Sequence, residues 1–176
     1  IDSREVEEMQ YHSTRSRQVL CGSKDAVLKG LCPDGGLFVS DEILKASVDM
    51  KSLMDKSYEE IVYAVFKVLL DDYTDEELKY CISRAYKGKF ETNELTPVTG
   101  IGDKYLLELY HGPTSAFKDM ALCMLPQLMS KALKGEKVMI LTATSGDTGK
   151  AALEGYKDID GIKITVFYPE DGVSRM

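Results

Sequence analysis

The sequence predicts an α/β protein, with a mostly helical N-terminal domain over residues 9–92 and the first part of a larger α/β domain over residues 93–176. Three observations lead there. Two capping boxes, Ser57 with Glu60 and Thr74 with Glu77, each precede an apolar stripe at helical spacing. From Thr96 onward the patterns run strand, helix, strand, helix, strand, the order of a parallel sheet joined by crossover helices. Finally, Thr144-Ser145-Gly146-Asp147-Thr148-Gly149 lies between a strand pattern and a helix pattern, where parallel sheets bind their ligands.

Taken in order, residues 1–8 are an acidic stretch that reads as a non-native leader, with a native start at Met9. Ser23 can cap a short helix containing Ala26, Val27 and Leu28, which must stop before the turn Cys32-Pro33-Asp34-Gly35-Gly36. Leu37 to Val39 reads as a short strand. The first capping box opens a helix with Ile61, Val65, Val68 and Leu69 on one face, and the second a helix with Leu78, Cys81, Ile82 and Ala85. Gly88 supplies a left-handed stop. Joined by the tight link Asp71–Tyr73, the two make a helical hairpin whose role is packing. Beyond residue 92, Lys104–Tyr110 reads as a strand, Ser115–Lys134 as a helix that Pro126 kinks or splits, and Lys137–Ala143 as a buried strand. Gly149–Lys157 then reads as a helix and Lys163–Tyr168 as a strand. Ser174 would cap another helix that Met176 cuts short, so the chain reads as the front of a larger protein.

Composition narrows the chemistry. With 22 basic and 29 acidic side chains the net charge is −7 over 176 residues, a poor match to a polyanion, so nucleic acid is not an expected partner. No apolar run approaches the ~20 residues of a membrane span, and no membrane partner is expected. Residues Ile1–Gln10 lack the apolar stretch of a secretion signal. Cys21, Cys32, Cys81 and Cys123 contain no C-x-x-C pair and share the chain with only two histidines, His12 and His111, so no metal site is expected and the thiols read as reduced, in a cytoplasmic protein.

Two segments carry the candidate chemistry. In residues 144–149 two glycines allow a tight turn, the following helix offers free amides and the positive end of its dipole, and Ser145 and Thr148 add hydroxyls, which together make an anion cradle. Neither nucleotide motif is met: a P-loop is denied by Thr144 and Ala151, and the dinucleotide fingerprint by Tyr105 after Gly100 and Gly102. The second segment, His111-Gly112-Pro113-Thr114-Ser115-Ala116-Phe117-Lys118-Asp119, again runs from a strand end into a helix. With Thr114 or Ser115 as the cap, Lys118 falls in the first turn, where the dipole and the apolar neighbours Ala116, Phe117 and Met120 disfavour an ammonium and favour a nucleophilic amine.

Together these segments resemble the threonine synthase family. The lysine segment is similar to its cofactor-lysine motif and residues 144–149 to its substrate loop. Tyr11-x-Ser13-Thr14-Arg15 and Gly30-Leu31-x-Pro33-Asp34-Gly35-Gly36-Leu37 resemble signatures of its longer, bacterial and fungal type, as do Phe167-Tyr168-Pro169 and Val173-Ser174; Ser16-Arg17-Gln18 departs from the pattern where a glycine is common. The resemblance implies the type II pyridoxal-phosphate fold, similar to the tryptophan synthase β subunit and incomplete here, and conversion of O-phospho-L-homoserine and water into L-threonine and phosphate. It implies that Lys118 forms a Schiff base with pyridoxal 5′-phosphate and then moves protons, and that Phe117 lies against the ring region. Thr144, Ser145, Gly146, Asp147, Thr148 and Gly149 would hold the substrate, with Asp147 near the cofactor. It further implies that the groups gripping the cofactor phosphate and ring nitrogen lie in later sequence, so that residues 1–176 alone do not turn over substrate. Arg15, Lys150 and Arg175 are candidate phosphate partners. The alternatives are a threonine synthase-like phospho-lyase, a non-catalytic phosphate-binding module, and an interaction scaffold built on the helical hairpin.

Overall fold

The structure, a computed structural model, describes residues 8–170. The leader short of residue 8, Val173, the Ser174 cap and Arg175 lie outside the described residues.

The N-terminal half opens with a small antiparallel sheet that periodicity did not reveal. Strands β1 (Tyr11–Ser13), β2 (Ser16–Cys21) and β3 (Phe38–Val39) lie in the order β2-β1-β3, so only the last of them matches a sequence expectation. Its register is held by side chains rather than by an apolar face. Ser13 Oγ donates to the Asp34 carboxylate at 2.7 Å, Gly36 N–H donates to the same oxygen at 2.9 Å, and Leu37 N–H donates to Thr14 Oγ1 at 3.1 Å. Helix α1 (Ser23–Lys29) begins one residue earlier than expected, with Gly22 rather than Ser23 at the cap position. The capping carboxylate is remote: Asp72 accepts from Lys24 N–H at 3.0 Å and from Ser23 Oγ. A Cβ on Gly22 would sit 2.6 Å from that carboxylate, which is why the position is glycine.

Helices α2 (Tyr58–Leu69) and α3 (Asp75–Tyr86) start as predicted. In both capping boxes the hydroxyl accepts an amide and the glutamate reaches back to the cap amide. Gly88, with φ +70°, ends the pair.

In the second half, β4 (Val98–Ile101) and β5 (Lys104–Leu107) form an antiparallel hairpin turning on Gly102, φ +63°. This corrects two expectations: the strand ends at Leu107 rather than Tyr110, and it is not part of the parallel sheet. The helix expected over Ser115–Lys134 is two helices, α4 (Asp119–Leu122) and α5 (Leu125–Ala132), because Pro126 has no amide to continue a ladder and is tolerated only in α5's first turn. Strands β6 (Val138–Ala143) and β7 (Ile162–Phe167) pair in parallel, Val138 opposite Ile162 through Ala143 opposite Phe167, with α6 (Asp147–Tyr156) as the crossover.

One core crosses residue 92. Tyr73, Leu78, Cys81, Ile82, Ala85 and Tyr86 pack against Cys123, Met124, Leu128 and Ala132, and a second cluster joins Met129 and Leu133 to Ala152, Tyr156 and Ile162. Leu78 and Cys81 have no exposed surface, and a fully buried leucine is worth roughly 1.5–3 kcal/mol. Two buried tyrosines tie the helical half to α4 and α5: Tyr86 Oη donates to the Met120 carbonyl at 2.9 Å and Tyr73 Oη to the Leu128 carbonyl at 3.1 Å. Against the opposite side of α4, Gly155 brings α6 so close that a Cβ would lie 2.0 Å from the Leu122 carbonyl oxygen. The lysine segment is thus anchored from both sides. Among the described residues no helix is long and apolar enough to cross a membrane.

Candidate functional site

The loop before α4 is built around a buried carboxylate. Asp119 is 1% exposed, and its two oxygens accept from Thr114 N–H at 2.8 Å and from Thr114 Oγ1 at 2.5 Å. Gly112 makes room for it, since a Cβ there would meet the carboxylate oxygen at 2.5 Å. Ser115 N–H donates to the Gly112 carbonyl at 3.0 Å while Ser115 itself takes φ +57°, an uncommon left-handed conformation for a residue with a side chain. Lys118 follows as the cap residue of α4, half-buried, its Nζ 4.2 Å from the Phe117 ring centroid, a cation–π separation. The expectation that Thr114 or Ser115 caps the helix and that Lys118 lies within its first turn is therefore corrected. The Thr114 hydroxyl is spent on Asp119, so the helix starts later.

Upstream, His111 donates from Nε2 to Glu108 at 2.6 Å, and its ring lies 4.6 Å from that of Tyr110. Hydrogen bonds from Thr99, His111 and Tyr110 hold the Glu108 carboxyl below the usual carboxylate range. Reading residues 104–110 as one strand hid this pair, because an i, i+3 contact requires the chain to leave the extended form after Leu107.

The second loop joins β6 to α6. Thr144 N–H donates to the Phe167 carbonyl at 3.0 Å, continuing the parallel ladder by one bond, and Gly149 and Lys150 N–H both donate to the Gly146 carbonyl. The helix therefore starts at Asp147, two residues before the expected Gly149, so Asp147, Thr148 and Gly149 form its first turn. Its cap residue, Gly146, contributes no side-chain hydrogen bond, which leaves the leading amides and the positive end of the dipole open toward the loop. Gly149 seats the helix on the sheet; a Cβ there would lie 2.5 Å from Thr144 Cγ2 and 2.9 Å from Val166 Cγ1.

These two loops meet. A cleft of about 450 Å³ is walled by Pro113 and Thr114 from the first and by Thr144, Gly146, Gly149 and Lys150 from the second, with Tyr168 at the end of β7. Lys118, Phe117, Ser145, Asp147 and Thr148 are not on its walls, and Phe117 is largely exposed. Of the candidate phosphate partners, Lys150 lines the cleft, whereas Arg15 donates to the Asp34 carbonyl at 2.8 Å and belongs to the N-terminal sheet. Two of the sequence signatures, residues 11–15 and 30–37, thus meet each other rather than the cleft.

Comparison with known proteins points the same way. Residues 10–86 match the family described as "Threonine synthase N terminus". The chain is 35% identical over 173 residues to a threonine synthase of Pseudomonas aeruginosa, covering 96% of this chain and 37% of the relative. It is 37% identical over 161 residues to the human protein named threonine synthase-like 1, covering 85% of this chain and 22% of that one. Its fold is similar to a pyridoxal-phosphate-bound threonine synthase of Brucella melitensis, with a TM-score of 0.88 and 35% identity over 95% of this chain and 37% of the other. Sequence and fold are similar to those of the N-terminal part of these threonine synthases, and the chain spans little more than a third of their length.

Proposed function

We propose, on that similarity, that these residues form the N-terminal part of a pyridoxal 5′-phosphate-dependent threonine synthase, an enzyme that converts O-phospho-L-homoserine and water into L-threonine and phosphate. The observation that carries the reading is the convergence of the lysine loop and the 144–149 loop on one cleft. The donor set suits the cofactor: a primary amine, Lys118, on a loop fixed by a buried carboxylate, and an uncapped helix terminus within the same fold. When bound, the coenzyme supplies an electron sink for the bonds changed at substrate carbon. This chain supplies position and proton movement. Lys118 Nζ would be the amine that holds the cofactor, and would serve as the base that takes and returns protons at substrate carbon. The hydroxyls of Thr144, Ser145 and Thr148, with the amides at the start of α6 ahead of Gly149, would hold the substrate carboxylate over the turn of Gly146 and Gly149; Asp147 would border the cofactor, and Phe117 would lie toward the ring region. Groups for the cofactor phosphate and ring nitrogen come from sequence corresponding to the rest of the relatives, so residues 1–176 alone do not turn over substrate, and the whole enzyme works in the cytoplasm.

The test is borohydride trapping. The whole protein is incubated with pyridoxal 5′-phosphate, reduced, digested and mapped by mass spectrometry. Selective modification of Lys118 is expected; scattered modification of surface lysines refutes the reading. A second reading, a phospho-lyase that releases phosphate without forming threonine, is favoured by the similarity to threonine synthase-like 1. Parallel phosphate and threonine assays separate the two: equal yields support the synthase, and phosphate alone supports the lyase.

A further inference from the structure

We propose that Asp119 is the positioning residue for Lys118, its buried carboxylate clamping the Thr114 end of the loop to α4 so that the intervening lysine is held at one fixed place. The inference rests on the reading of Lys118 as the cofactor amine. It begins from a cost. A carboxylate 1% exposed has lost nearly all of its water, and such a group persists in a fold only where its oxygens find donors. Asp119 recovers both bonds from one residue, Thr114, five positions upstream. The two bonds close a ring of chain that contains Lys118.

The rest of the loop is shaped to keep the ring closed. Gly112 has no side chain because the Asp119 carboxylate occupies the space where one would begin, and Ser115 is held at φ +57° to bring the chain back. Asp119 itself is fixed by main-chain bonds, its amide to the Ala116 carbonyl and its carbonyl to the Cys123 amide, both at 2.9 Å. Through Cys123 and Leu122 it is continuous with the core and with the Gly155 contact on α6. Thr114, at the other end of the clamp, walls the cleft. A rigid path therefore runs from the core to the cleft, and Lys118 is carried on it. A preorganised nucleophile reacts faster because the entropy of placing it has already been lost in folding.

The chemistry of the clamp dictates the variants. Asp119→Ala deletes it. Asp119→Asn keeps it without the charge, accepting the Thr114 amide on oxygen and donating its own amide to the Thr114 hydroxyl. Thr114→Val removes the hydroxyl arm and Thr114→Ser restores it. The whole protein and each variant are pulsed with pyridoxal 5′-phosphate and borohydride, and the initial rate of Lys118 modification is read by mass spectrometry against that of exposed lysines in the same sample. Circular dichroism establishes which variants are folded. In folded protein, Thr114→Val is expected to slow modification of Lys118 about tenfold, the scale set by losing one buried charge-assisted hydrogen bond, and Asp119→Ala, which loses both bonds, by at least as much. Exposed lysines are unaffected, and Asp119→Asn and Thr114→Ser stay near the parent rate. Should Asp119→Ala fail to fold, the Thr114 pair decides. Folded Ala or Val variants that modify Lys118 at the parent rate overturn the clamp while leaving the cofactor reading intact. Absence of Lys118 modification in the parent overturns both.

Discussion

At the scale of single residues, the four cysteines illustrate how burial sets reactivity. All are free thiols, but their surroundings differ. Burial pushes the Cys81 thiol up to about 12 and the Cys123 thiol up to about 11, because a thiolate there would give up its hydration. At pH 8 both thiols therefore stay protonated, and only the thiolate attacks alkylating reagents. Cys21, at the end of β2, is partly exposed; burial raises its pKa too, with Lys29 opposing the rise. Iodoacetamide at pH 8 is therefore expected to modify Cys21 first and to reach Cys81 and Cys123 only when denaturant opens the core. Peptide mapping over time checks this. Rapid alkylation of Cys81 in the folded protein would mean that the core joining α3 to α5 is open.

At the scale of elements, the two capping boxes were legible in the sequence because both partners lie within four residues, so local pattern and local structure coincide. Ser57→Ala and Thr74→Ala are each expected to cost about 1 kcal/mol, measured by urea unfolding. The Thr74 box carries a longer-range partner as well, for Lys24 of α1 donates to Glu77 at 2.7 Å. Partial burial pushes the Glu77 carboxyl up, but the Lys24 hydrogen bond, the Thr74 amide and the Lys24 charge outweigh it and leave it below its ordinary 4.5. A depressed folded-state pKa means that this contribution is complete above 4.5 and is lost as pH falls through the lower folded value. Glu77→Gln is thus expected to destabilise the protein at neutral pH and to flatten its loss of stability on acidification. Unfolding curves collected along the acid limb test both, and a variant whose curve parallels the parent's would show that the ion pair contributes nothing. What the sequence did not disclose at this scale has a common cause. The sheet of β1, β2 and β3 rests on Asp34, the cap of α1 on Asp72, and the late start of α4 on Asp119. Each is a side-chain carboxylate acting on backbone outside its own element, which periodicity does not encode. The lysine and glycine motifs themselves were legible because tight loops demand particular residue types, whereas the convergence of their loops on one cleft required the fold.

At the scale of the whole molecule, the decisive asymmetry is between the two faces of the β6–β7 pair. Ile140 and Ile164 turn inward to the cluster around Met129 and Tyr156. On the other face Met139, Leu141 and Phe167 are 54%, 66% and 58% exposed, and Ala143 opposite Phe167 extends the stripe. Among the described residues both strands are also edges, each paired on one side only, so amides and carbonyls without a strand partner border an apolar surface. The β4–β5 hairpin adds Val98, Ile101 and Tyr105, all exposed. Apolar area of this kind gains roughly 25 cal/mol for every Å² removed from water, and an edge strand offers hydrogen bonds to whatever covers it. A polypeptide of these 176 residues is accordingly expected to self-associate as its concentration rises, seen as a growing weight-average mass in sedimentation equilibrium. Leu141→Lys with Phe167→Glu places charges on the stripe without touching the inward Ile140 and Ile164, and should return the sample toward monomer while circular dichroism stays unchanged. Sedimentation as a monomer across the whole concentration range, in the parent as in the variant, would show that the bare face is not sticky and that the fold of these residues is self-sufficient in water.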